Sequence, residues 1–163
     1  MAFEAVKNLS TGGSCPVAPP GDNFTFEAQA AIKEGAAIKY RTDTSGKVNK
    51  AVNADKNVIA IALEAAAADE DEIRGAYVVP GMVYKCPITD KDGTSLTALH
   101  ANFKRGKAVD MNDNGDGIDG ATDSDTFTHG PCTIIDFDAD DEVAWVVFNT
   151  GALFLNVDTV SQD

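Results

Sequence analysis

Aromatic side chains are scarce in this chain of 163 residues, at 7%, and tryptophan occurs once. Any core must therefore be assembled mainly from Ala, Val, Ile and Leu, and at this length a single core suffices without staples. Cysteine is equally sparse. Cys15, Cys86 and Cys132 are odd in number and lack CxxC spacing, so they read as scattered small hydrophobes, not as a disulfide framework or metal set. No apolar run approaches the roughly 20 residues that span a bilayer. The start, MAFEAVKNLS, has no charged n-region leading into an apolar h-region. Synthesis and retention in a cytoplasm are therefore expected. Basic residues are missing from the whole C-terminal third: all 13 Lys and Arg lie at or before Lys107, while the 26 Asp and Glu divide equally across that point. The net charge of −13 repels nucleic acid and anionic membranes, so neither is expected as a partner. The acidic third reads either as a solvated face that confers solubility or as an outward face, with the more mixed N-terminal part meeting a partner.

Catalytic spacings are missing as well. His100 and His129 are the only histidines, and neither sits in an HExxH or GxSxG context. There is no Walker loop, and no GxGxxG follows a strand to open a helix. Asp136, Asp138, Asp140, Asp141 and Glu142 form a dense carboxylate run. Paired catalytic carboxylates need buried, differing environments, and a run at a turn is solvated instead. No enzyme is expected.

What the chain does contain centres on Asn57 to Lys85. Two apolar runs, Val58 to Leu63 and Ile73 to Tyr84, flank an acidic turn, Asp69 to Glu72. β-Branched content in the first and alternation in the second read as strands. Between them Glu64 to Ala68 has helix-forming composition, yet Ala65 to Glu72 offers no apolar stripe. The framework is two strands, with a connector that is helix or turn. Short strands follow the same rhythm elsewhere: Phe24 to Ala31, Ala36 to Arg41, Lys47 to Asn53, Gly106 to Met111, Cys132 to Phe137, Val143 to Phe148 and Ala152 to Val157. Polar turns such as Thr42 to Gly46 and Asp90 to Gly93 separate them. Ser95 to Phe103 is a candidate helix, with Leu96, Leu99 and Phe103 on one face.

This spacing defines an all-β fold, a small barrel or sandwich of short strands with at most one or two short helices. The expected organisation is an extended N-terminal arm over 1–23, a β-barrel domain over 24–157 with a loop insertion at 112–130, and a polar tail over 158–163. Gly12, Gly13, Pro16, Pro19, Pro20 and Gly21 break any regular pattern in the arm, whereas Phe3, Val6, Leu9, Cys15 and Val17 keep it from being a hydrophilic tail. Such an arm wraps its own body or orders on a neighbour.

Asn112 to Asp123, NDNGDGIDGATD, is the most specific local signal. Against a calcium-binding EF-hand loop, Asn112, Asn114 and Asp116 fall at positions one, three and five. Gly117 takes the sharp turn, Ile118 offers its carbonyl at seven, and Asp123 stands at twelve. Alternate oxygen ligands converge on a hard cation because such a loop coils round it. The neutral Asn at position one, the short Asp at twelve and the absence of flanking helices depart from the pattern. The loop is therefore a turn-rich polar hairpin or a calcium site; if calcium binds, it stiffens the loop.

The order Lys47-Val48 to Ala51, then Val58 to Ala66, an acidic turn, Ile73, Val78-Val79 and Gly81-Met82-Val83 resembles a family of tailed-phage capsid decoration (cement) proteins. Ile32 to Ile38 is similar to that family's turn, Gly and strand opening. Lys104 to Val109 and Val143 to Phe148 are similar to its later strands. The pattern covers roughly residues 30 to 150. Gly is expected where Ala60 stands, the Asn112 to Asp123 insertion is extra, and the arm lies outside the match. The resemblance implies a small β-barrel that trimerises on the outside of an icosahedral head and clamps neighbouring major capsid protein subunits. It implies a virion protein made in the host cytoplasm. The arm, with Phe3, Val6, Leu9 and Val17, is then expected to order on the capsid lattice. The alternative expectation, from the acidic loop, is a calcium-dependent β-module that binds carbohydrate.

Overall fold

A computed structural model describes residues 2–8, 24–41, 45–53, 55, 57–78, 81–121 and 126–149. The strands are β1 (Glu4–Asn8), β2 (Phe24–Glu27), β3 (Ala37–Tyr40), β4 (Val48–Lys50), β5 (Ala60–Ala62), β6 (Glu72–Tyr77), β7 (Met82–Thr89), β8 (Ala108–Val109), β9 (Ile118–Asp119), β10 (Cys132–Asp138) and β11 (Val143–Phe148). One short helix, α1 (Thr126–His129), is the only helix among the described residues. The expected strand at Ala152 to Val157 and the tail lie outside them.

The strands form two sheets. One runs β1-β7-β11-β10-β8, with β9 joined in parallel to β7; the other runs β2-β6-β5-β3-β4. The fold is a mainly-β sandwich, one of the two all-β forms expected, and not a closed barrel. The five-stranded sheet curls until Ala28, just beyond β2, meets Val48 of β4 at a single bridge. Strands of three and four residues supply too short a ladder there to seal the two edges.

Strand alternation divides the small apolar residues between two cores. Ala37 and Ile61 face the six-stranded sheet and pack with Tyr84, Cys86, Ile134, Val146 and Phe148. Ile38, Ala60, Ala62 and Ile73 face into the curl, with Phe26, Ile32 and Val48. Gly75 is part of that packing: a Cβ there would lie 2.8 Å from the Phe26 ring.

The central framework therefore differs in detail from its sequence reading. β5 and β6 pair antiparallel, Ala60 with Tyr77 and Ala62 with Gly75. The second apolar run is not one strand, however. It splits at Gly81, whose φ is +80°, and its latter half becomes β7 of the other sheet. The Ala-rich connector is not helical. The Asp71 carboxylate accepts the amides of Ala67 and Ala68 at 2.8 and 2.9 Å, and Ala66 bridges to Ile32. Those amides are spent before a helix can use them.

Ser95 to Phe103 is not a helix either. Its amides go elsewhere, Thr97 N–H to Asp90 Oδ1 at 3.1 Å and His100 N–H to Gly120 O at 2.8 Å. Its apolar residues still bury: Phe103 belongs to the inter-sheet core, with Leu96 and Leu99 against it.

One lysine ties three parts of the curled sheet. Lys47 Nζ lies 2.9 Å from Glu27, 2.9 Å from Asp69 and 3.5 Å from Glu70. Its hydrogen bonds to Glu27 and Asp69 hold the ammonium above the ordinary lysine range, and the bond from Lys47 holds the Asp69 carboxyl below the usual carboxylate range. The depressed Asp69 contributes stability above its unfolded value of about 4, lost as pH falls through the folded value. The raised Lys47 contributes below its unfolded value of about 10.4, lost as pH rises through the folded one. Lys47→Met is expected to lower stability at neutral pH, where both shifted groups are charged, by a modest amount, because exposed ion pairs are screened. It should flatten both the acid and alkaline limbs of a pH–denaturation series; limbs as steep as the parent's would show that the junction carries no linkage.

Candidate functional site

The acidic loop is closely hydrogen-bonded, and it is built inward. Asn112 is 0% exposed. Its Nδ2 donates to Thr89 Oγ1 at 3.1 Å and to Asp116 Oδ1 at 2.9 Å; its Oδ1 accepts the amides of Asn114 and Asp116, both at 3.2 Å. Asn112 N–H donates to Gly117 O at 3.0 Å, and Gly115 N–H donates to Asn112 O at 3.1 Å. A buried carboxamide with two donors and one acceptor oxygen can satisfy this knot of mixed polarity, which a carboxylate cannot.

The loop also fastens the two sheets. Gly115 O accepts Ala37 N–H of β3 at 2.8 Å, while Thr89 belongs to β7. Ile118 and Asp119 run parallel to Ile88 and Thr89. Lys50 Nζ reaches Asp113 O at 2.7 Å, and Asp119, also buried, accepts Ala121 N–H at 2.9 Å. This is a hydrogen-bonded plug and not the flexible hairpin loop considered from composition.

The proposed calcium ligands are placed accordingly. Asn112 Oδ1 is occupied by two amides, and Asp116 is held by Asn112 and by Lys33 Nζ at 2.9 Å. Asn114 turns its Nδ2 to Asp92 O at 3.3 Å, and Ile118 is buried in β9. Asp123 lies outside the described residues. Among the described residues no cluster of three or more His, Cys, Asp or Glu is placed to hold a metal ion. Of the oxygens that spacing suggests for a cation, those of Asn112 and Asp116 accept bonds from the protein's own N–H groups.

The expected capsid-binding arm divides. Residues 4–8 form an edge strand paired antiparallel with β7, Glu4 opposite Lys85 and Asn8 opposite Met82, with a bulge between Ala5 and Lys7. Phe3 is buried, its ring 5.1 Å from that of Phe148, and its N–H donates to Gly35 O at 3.2 Å. This part of the arm wraps its own body, which corrects Phe3 as a lattice contact. An aromatic ring near the terminus gains more from a ready apolar seat than from water. Val6 lies on the same strand, half-buried; Leu9 and Val17 lie outside the described residues. Phe3→Ala is expected to destabilise the chain by about 3 kcal/mol. Chemical denaturation measures it, and a loss under about 1 kcal/mol would show that the seat is not part of the cooperative core.

The remaining reactive groups hold structure. Burial pushes the Cys86 and Cys132 thiols well up, which leaves them inert as nucleophiles. His100 stacks on Phe127 at 5.1 Å, and its Nδ1 accepts Asn102 N–H at 3.1 Å. In the carboxylate run, Asp138 caps the amides of Asp140 and Asp141, and Asp136 is held below the usual carboxylate range by Arg105.

Two surface features escaped the sequence reading. Phe24 and Tyr40 are 48% and 41% exposed, yet they belong to a ring cluster at the mouth of the curled sheet. Phe24 meets Tyr77 at 4.6 Å, and Phe26 meets Tyr77 at 5.8 Å and Tyr40 at 6.0 Å. Burial and the bond with Tyr40 push the Tyr77 hydroxyl up to about 12. On the far sheet Ile135 is 37% exposed, beside the face that carries Trp145 and Lys85. The alternation of Phe24, Thr25 and Phe26 was the available signal for the first; nothing local marks the second. No protein-family model matches the chain, and no curated protein matches it in sequence.

Proposed function

We propose that the chain is a virion structural protein that decorates and stabilises the outer surface of a phage capsid, binding as a homotrimer over major capsid protein subunits and catalysing no reaction. One observation carries this reading. The residues that resemble the decoration family run through strands of both sheets, edge strands included: β3 to β6 in one, β7, β8 and β11 in the other. A resemblance scattered over loops would carry no architecture; this one follows the framework. The chain's polar knots are spent on internal bonds, which suits a part that presents surface. Many weakly held copies on one lattice then stabilise it by mass action.

Sedimentation of the protein alone, and with purified tailed-phage capsids, tests the reading. A trimer alone and co-pelleting with capsids are expected; protein that stays in the supernatant overturns the role. Because residues 2–8 are part of the fold, deletion of the whole arm would not be a clean probe. Leu9→Ser with Val17→Ser is the sharper variant, expected to weaken pelleting while thermal melting stays put. Unchanged pelleting removes those two residues from the contact.

A further inference from the structure

Asn-Gly and Asp-Gly steps are chemically weak points in a chain, because glycine has no side chain to keep its nitrogen from the carbonyl of the preceding side chain. This chain has four of them: Asp92-Gly93, Asn114-Gly115, Asp116-Gly117 and Asp119-Gly120. The fold gathers them all at the acidic plug. Asn114 Nδ2 donates to Asp92 O at 3.3 Å, and the Asn114 carboxamide packs so closely on Gly93 that a Cβ there would strike it. Asp119 pairs with Thr89, and Gly120 N–H donates to Thr89 O at 2.9 Å.

Asn114-Gly115 is the one asparaginyl step of the four, and a neutral carboxamide is a better electrophile than a carboxylate. The Gly115 nitrogen gives up its proton and attacks Asn114 Cγ. The new N–C bond closes a succinimide ring, and Nδ2 leaves as ammonia. Water then opens the ring. Attack at Cγ yields an aspartate; attack at the former main-chain carbonyl yields an isoaspartate, whose backbone runs through Cγ.

The folded geometry opposes each part of that reaction. Gly115 N–H donates to Asn112 O at 3.1 Å, which holds the proton that must leave. Gly115 O accepts Ala37 N–H at 2.8 Å, and Ala51 O stands 2.5 Å from where a Cβ would be, so the residue is pinned on both sides. The carboxamide, held between Asp92 O and Gly93, is not free to swing Cγ onto the nitrogen.

We propose that Asn114-Gly115 is a latent deamidation site that the plug keeps closed, so that the chain is modified there when the plug opens. The inference is independent of the decoration role. Reclosing would not undo the change. A carboxylate at this position has no donor for Asp92 O. An isoaspartate adds a carbon to the main chain beside Gly115, whose bonds to Asn112 and Ala37 fit the present spacing. Chemistry that proceeds from an opened state tracks the population of that state.

Peptide mass spectrometry of the full chain, aged at mildly alkaline pH, tests it. Deamidation at Asn114 is expected to be at least about 10-fold slower in the folded protein than in guanidinium chloride. Equal rates overturn the proposal. Thr89→Val takes an acceptor from Asn112 Nδ2 without touching Asn114 or Gly115. It should speed the folded reaction several-fold and leave the denatured rate unchanged; a folded rate equal to the parent's overturns the plug as the protecting element. If that variant does not fold, the parent in graded denaturant below its unfolding transition serves instead. Its rate should rise with the opened fraction, and a rate indifferent to denaturant counts against the proposal. Asn114→Gln, whose longer side chain closes a ring far more slowly, should remove the signal from the denatured chain. A signal that persists there assigns the reaction to another residue and overturns the site.

Discussion

Asn112→Asp is expected to be among the most damaging single substitutions in the chain, with a deficit that shrinks as the pH falls. The wild-type carboxamide is fully buried, donates to Thr89 and Asp116, and accepts two amides. A carboxylate there keeps the accepted bonds but loses both donated ones and faces the Asp116 carboxylate at close range. Losing buried bonds and burying a poorly partnered charge together cost about 3 kcal/mol or more. For a chain of this size that lowers Tm by roughly 10 °C. Burial and Asp116 raise the introduced group's folded pKa above its unfolded value of about 3.9. The deficit is then least below that value and grows as pH rises towards the folded one. Asn112→Ala should lose a similar amount with no such pH dependence. Denaturation of both variants and the parent across acid to neutral pH measures the difference. The same variant judges the calcium reading, because Asp at the first position is the better ligand. Millimolar calcium is expected to rescue nothing; restored stability would establish a cation site.

Gly115→Ala is expected to be nearly as costly, for a different reason. Gly115 has a φ of +71°, where an L side chain costs about 1 kcal/mol or more. A Cβ would also stand 2.5 Å from Ala51 O, which is backbone and cannot turn away. The shift that relieves this contact pulls Gly115 O from Ala37 N–H and disturbs Ala51 N–H to Ala37 O, now 2.7 Å. About 3 kcal/mol in total is expected. Gly46→Ala is the built-in control. Its φ of +72° is almost the same, but nothing lies within 4 Å of the added Cβ, so only the conformational part is lost. Urea melts of the two variants isolate the wedge. Equal losses would mean that the plug does not press on β3 as the geometry indicates.

Both predictions concern a segment whose composition was legible and whose placement was not. Asn, Asp and Gly at alternate positions suit a turn, a calcium loop and a buried plug equally, because each uses short polar side chains to bind nearby groups. What separates them is the direction of Asn112, and that is set by Thr89, Ala37 and Ala51, distant in sequence. Phe3 is a similar case. Apolar residues among glycines and prolines marked an arm, but its seat against Phe148 is made by the other end of the chain.

The sequence by itself determined the β class and the position of most strands. Period-two alternation and turn residues act over a few neighbours, and β2, β3, β4, β10 and β11 fall where those local rules put them. It also determined that the core would be made of small aliphatics and that the C-terminal third would be acidic. Tertiary structure decided sandwich over barrel, because closure depends on how two distant edges, at Ala28 and Val48, come into register. It decided that the apolar run after Ile73 would serve two sheets, and that the Ala-rich connector and Ser95 to Phe103 would give up a helix. Their amides found better partners elsewhere, and propensity worth a few tenths of a kcal/mol per residue does not outweigh such bonds.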